Sequence, residues 1–153
     1  MSVRKRLWLC VPPLLMYNLD VGLTLAGQNE AYWQGNYSSP DELNPLAHFL
    51  LATHPYVFVA VALLWEVVFC GLILWLRPRL AVTVALVLAV GHAYGASTWM
   101  LYWGFAGVPA VALHLLAAAL IVVCWACGSV PLSARQGAPS PPPSPPRTPE
   151  SAL

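Results

Sequence analysis

Charge is what this sequence has least of. Only 8% of its 153 residues are Asp, Glu, Lys or Arg, against roughly a quarter in ordinary soluble domains, and that scarcity excludes a solvated globular domain. With a net charge of +1, the chain also lacks the basic field by which nucleic-acid-binding proteins hold phosphates. Nucleic acid is therefore not an expected partner. Local signatures of chemistry are missing too, with no nucleophile elbow, phosphate loop or zinc-protease helix and no internal repeat.

Apolar residues make up 59% of the chain, in runs long enough to cross a hydrocarbon core about 30 Å thick, which takes about 20 helical residues. The expected fold is an all-α membrane protein, with four transmembrane helices in an antiparallel bundle at about 7–27, 55–76, 80–103 and 109–128. Pro12-Pro13 should delay or kink the first span, whereas Pro55 and Pro109 suit the first turn of a helix. The short links 77–79 and 104–108 make neighbouring spans antiparallel. Only the loop 28–54 leaves room for structure outside the membrane. There, Asn44-Pro45 is a helix-start signal and Leu46, Phe49, Leu50 and Leu51 supply an apolar face, predicting a short helix on the outer surface. Residues 1–130 thus form the membrane domain, and 131–153 is a Pro-rich tail too polar to pack, expected to be disordered.

Orientation follows from the basic residues, which favour the cytoplasm near span ends. In a four-span arrangement Arg4, Lys5, Arg6, Arg77, Arg79, Arg135 and Arg147 all fall on one side, and Glu30, Asp41 and Glu42 on the other. Both termini are then cytoplasmic, and the chain is a multi-pass protein of the plasma or inner membrane. Trp8, Trp75 and Trp125 suit the inner boundary; Tyr32, Trp33, Trp99, Tyr102 and Trp103 suit the outer one. Asn36-Tyr37-Ser38 matches the glycosylation sequon. Reading residues 1–26 as a cleaved leader meets Asn18 and Asp20 inside the apolar stretch and a poor fit to the small-residue rule, so the segment is expected to remain as a span.

Ionisable residues within a membrane are costly and hence candidates for function. Each span holds one: Asp20, Glu66, His92 and His114, at roughly 20, 15, 18 and 22 Å from the cytoplasmic end by helical rise. This polar layer has three readings. It is an interhelical network that fixes register, a set of metal or haem ligands centred on His92 and His114, or a proton or solute pathway. No cofactor is expected, since no two-histidine helical motif is present. Cys10, Cys70, Cys124 and Cys127 fall on the reducing side, where disulfides are not expected. His48 and His54, near Asp41 and Glu42, read as ordinary residues at helix ends.

The segment Asn18-Leu19-Asp20-Val21-Gly22-Leu23-Thr24-Leu25, followed by Glu42-Leu43-Asn44-Pro45, resembles a group of small uncharacterised prokaryotic polytopic membrane proteins. These carry Asp-x-x-x-Thr in the first span and Glu-x-Asn-Pro before the second. The resemblance implies a helical bundle and singles out Asp20, Thr24, Glu42 and Asn44, without implying an activity. The expected function is that of a structural or accessory component of a membrane complex rather than an enzyme. The alternatives are a small oligomeric channel or transporter using the polar layer, and then a metal or haem protein. The expected partners are lipid and other membrane subunits or further copies of the chain.

Overall fold

The structure, a computed structural model, describes residues 1–105 and 107–127. The Pro-rich tail expected over 131–153, residue 128 at the end of the fourth span, and Arg135 and Arg147 lie outside the described residues. Among those described there are six α-helices and no strand: α1 (Val3–Ala26), α2 (Glu30–Trp33), α3 (Pro45–Thr53), α4 (Pro55–Trp75), α5 (Pro78–Tyr102) and α6 (Gly107–Cys127). Four of them, α1, α4, α5 and α6, are long and apolar enough to cross a membrane.

Local chemistry sets where these helices begin. Ser2 caps α1 by accepting the Lys5 N–H at 3.4 Å, so the helix starts well before the apolar run. It continues through Pro12 and Pro13, both buried, and the kink or delay expected there does not end it. Asn44 accepts the Leu46 and Ala47 N–H groups and opens α3, with Pro45 in the first turn, where its missing N–H is harmless. His54 is extended and serves twice, closing α3 and capping α4 by accepting the Tyr56 N–H at 3.2 Å. Asn29, whose side chain accepts the Tyr32 N–H, starts α2, a short helix that the hydropathy pattern did not indicate.

At the centre of the packing is α5, which contacts α1, α4 and α6, most extensively α1. Its Ala81, Ala85, Ala89, Ala93 and Ala96 are all fully buried. That spacing puts them on one stripe of the helix, and small residues allow helix backbones to approach closely where lipid supplies no hydrophobic drive. Large apolar side chains instead cover the outside, including Val67 on α4 and Val122 on α6, exposed by 70% and 67%. Patches of that kind are rare on soluble monomers and suit a hydrocarbon surround.

Side chains from distant parts of the sequence complete the helix ends. The last turn of a helix leaves carbonyls without intrahelical donors, and the Arg6 guanidinium donates to those of Ile73 (3.2 Å), Leu74 (2.7 Å) and Leu76 at the end of α4. Its positive charge also complements the helix dipole there. Lys5 lies over the Trp125 ring of α6, 5.1 Å from the centroid. At the opposite end of α1, the Gln28 amide pairs with both backbone groups of Asp41 (2.9 and 3.1 Å) and donates to the Thr24 carbonyl. The buried Tyr32 hydroxyl donates to the Leu51 carbonyl at 3.1 Å, in the last turn of α3. Burial, with Tyr37 beside it, pushes the Tyr32 phenol up, which keeps the donor protonated. Among the described residues no buried side-chain nitrogen or oxygen is left without a partner.

Replacing Tyr32 by Phe keeps the ring in place and leaves the Leu51 carbonyl unpaired, at an expected cost of about 1–3 kcal/mol. Denaturant unfolding in detergent should show this loss, and unchanged stability would mean that water replaces the hydroxyl.

Candidate functional site

Tyr17, Asp20 and Thr24 on α1, and Gly27 that caps its end, succeed one another at helical spacing, forming a single stripe. Opposite them on α5 stand His92, Gly95 and Trp99, also at helical spacing. Two hydrogen bonds cross the seam: His92 Nδ1 lies 2.9 Å from Asp20 Oδ2, and the Trp99 indole N–H donates to Thr24 Oγ1 at 2.9 Å. On both sides the neighbouring side chain fills the space a Cβ would take. A Cβ on Gly95 would fall 2.6 Å from each Asp20 carboxylate oxygen, and one on Gly27 would fall within 2.8 Å of three atoms of the Trp99 ring. The carboxylate therefore rests directly on the α5 backbone.

Tyr17 ties this seam to α4. Its ring meets His92 edge-on at 4.6 Å and Phe69 at 5.6 Å, and its hydroxyl donates to the Ala62 carbonyl at 3.2 Å. Beside it the three helices separate around a cavity of about 410 Å³, with α3 contributing to its wall. Asp20, Thr24, Glu42 and Asn44 all line it, together with His92, Trp99 and an apolar wall that includes Phe58 and Trp65. A second hollow of about 300 Å³ shares Glu42, Thr98 and Trp99 with the first and adds Asp41 and Tyr102. The residues quoted from two separated sequence segments thus meet at one site.

The four-residue polar layer divides. Asp20 and His92 form a pair, with side chains 21% and 23% exposed. Glu66 is not part of that contact; it accepts a hydrogen bond from Asn18, which also donates to the Leu14 carbonyl. His114 bonds within its own helix, 2.7 Å from the Ala110 carbonyl, with its ring near Tyr94. Among the described residues no three His, Cys, Asp or Glu side chains gather in a way that could hold a metal, and His92 and His114 have separate partners. All four thiols are free. His48 approaches the Glu42 carbonyl at 3.2 Å and His54 caps α4, so both have structural partners. Glu42 itself accepts the Asn44 N–H at 2.7 Å, a local bond rather than a reach back to Asp20.

Tyr17, Gly95 and Trp99 did not stand out from composition or hydropathy. Their helical spacing from Asp20 and His92 was the available signal, and Trp99, read as an interfacial residue, is 8% exposed. Tyr32, read the same way, is fully buried.

A Gly95→Ala substitution should push the Asp20 carboxylate off its seat, at the roughly 1–3 kcal/mol typical of overpacking. In an Asp20→Ala background the same substitution should cost well under about 1 kcal/mol, because the two residues are in direct contact. Equal penalties in the two backgrounds would disprove the close packing of carboxylate on backbone. Comparison with protein-family models, with curated proteins and with solved structures found no match to this chain.

Proposed function

We propose that the chain is a four-span antiparallel membrane protein, both termini cytoplasmic, that holds a small lipophilic molecule in the cavity between α1, α4 and α5. The cavity carries this reading. Its volume of about 410 Å³ falls in the range of sites that enclose a single drug-sized ligand, about 300–1,000 Å³. Its walls also have the usual composition of such sites, mostly apolar with a few convergent polar groups. The Asp20–His92 pair and the Thr24–Trp99 bond are those groups, and Glu42 and Asn44 stand at the α3 side. Such a protein would bind or present its ligand rather than transform it: the Tyr17 hydroxyl is engaged with the Ala62 carbonyl and the Thr24 hydroxyl with the Trp99 indole, so neither is activated by His92.

Contact order supports the antiparallel arrangement. Along α1, Arg6 meets the end of α4 and Tyr17 meets its middle, so these two helices run in opposite directions. The contacts Asp20–His92 and Thr24–Trp99 advance together, so α1 and α5 run the same way. Lys5 and Arg6 gather with the ends of α6 and α4, while Asp41 is held beside the far end of α1. Basic and acidic residues thereby fall at opposite ends of the bundle, the pattern that orients membrane proteins. The exposed Asn36 of the sequon belongs to the acidic end.

Translation with microsomes should attach a glycan at Asn36 that Asn36→Gln abolishes, and none at a sequon placed between Arg77 and Arg79; the reverse result would invert the topology. For the binding role, a photoactivatable dodecanol in nanodiscs should label the cavity walls in preference to the lipid-facing side of α6. Filling the cavity with Ala47→Phe should cut that labelling about tenfold, the equivalent of about 1.4 kcal/mol. Uniform labelling of all outward faces, unaffected by the substitution, would eliminate the reading.

A further inference from the structure

We infer that the ligand of this cavity is a cationic amphiphile, an amine with one short apolar tail whose positive head sits against Asp20. The inference rests on the lipophile-binding reading above and adds the charge of the head group.

The charge inventory is one-sided. Asp20 and Glu42 line the main cavity, Asp41 and Glu42 the adjoining hollow, and no Lys or Arg lines either among the described residues. Two basic side chains of α1 are engaged elsewhere, Lys5 over Trp125 and Arg6 on the carbonyls that end α4. His92 is the single imidazole of the lining. Even fully protonated, it balances one carboxylate of the two.

Asp20 also has bonding capacity left. A carboxylate offers about four lone-pair sites, and the hydrogen bond to His92 is the one its side chain makes among the described residues. With a side chain 21% exposed on the cavity wall, it presents an acceptor where an ammonium donor would be received. Ionisable residues within a spanning segment are costly, and a bound cation would add to the compensation that His92 gives Asp20. An anionic head group would meet two carboxylates instead, which is how a site rejects the wrong sign.

The walls favour the same ligand. Tyr17, Phe58, Trp65 and Trp99 contribute aromatic rings, and aromatic faces attract ammonium groups, more strongly away from water. The remaining lining, such as Val21 and Val61, suits an alkyl or aryl tail. Because the second hollow shares Glu42, Thr98 and Trp99 with the first, a cation entering from the acidic end would pass Glu42 before reaching Asp20.

The test uses the full chain in nanodiscs of neutral phosphatidylcholine, with dodecylamine and dodecanol as competitors of the photoactivatable dodecanol, compared at equal mole fraction in the bilayer. The amine should displace the label at about tenfold lower concentration than the alcohol, in line with a charge-assisted contact. Asp20→Asn should weaken displacement by the amine far more than displacement by the alcohol, bringing the ratio of the two potencies to about one. Glu42→Gln, at a part-exposed position outside the helices, should reduce the advantage and serves as the second reading should Asp20→Asn fail to fold. Equal potency of amine and alcohol in the wild-type protein would overturn the cationic assignment and leave the lipophile-binding reading standing. If neither competes, both readings fall.

Discussion

An acidic side chain inside a span must find a partner within the protein, because hydrocarbon offers none. Here the partner is His92, and the Asp20 carboxylate that meets it lies against the α5 backbone in the space Gly95 leaves open. That contact sets the register of α1 on α5. With it fixed, Thr24 meets the Trp99 indole and the Trp99 ring covers Gly27. Tyr17, one turn earlier, packs on His92 and extends the seam to α4. A register shift of one residue would swing these groups off the shared face.

The same economy governs the helix ends. Carbonyls in the last turn of a helix lack intrahelical donors, and this chain supplies donors from far away in sequence. Arg6 closes α4, and Tyr32 serves the end of α3. Gln28 holds Asp41 by its backbone, which anchors the loop carrying Glu42 and Asn44. Loop and bundle are therefore coupled, and the cavity between them has a wall on the α3 side because these bonds keep the loop there.

Much of the architecture was legible in the sequence. Apolar runs marked the four long helices to within a few residues, and Asn44-Pro45 marked the start of α3 through its capping chemistry. The errors were local. Ser2 extends α1 toward the N-terminus, and α2 is too short to leave a hydropathy signal. The site was half legible. Depth along a helix follows from counting residues, so Asp20 and His92 could be placed near one level, but rotation about the helix axis does not. Glu66 and His114 share that approximate depth and find other partners, Asn18 and Ala110, because their helices present them elsewhere. Gly95 and Trp99 were invisible for a different reason, since a glycine's close approach and an indole's inward turn are properties of two helices together.

The alanine stripe of α5 has a thermodynamic corollary. Alanine has no rotamers to lose on burial, whereas ordering a longer side chain costs up to roughly 2 kcal/mol. Helices in lipid associate without a hydrophobic drive, so the forces that join them can overcome only a small loss of entropy. Ala81, Ala85, Ala89, Ala93 and Ala96 let neighbouring spans settle on α5 with almost no freezing of side-chain motion. The central helix thus holds its neighbours as much through the freedom its side chains never had as through the contacts they make.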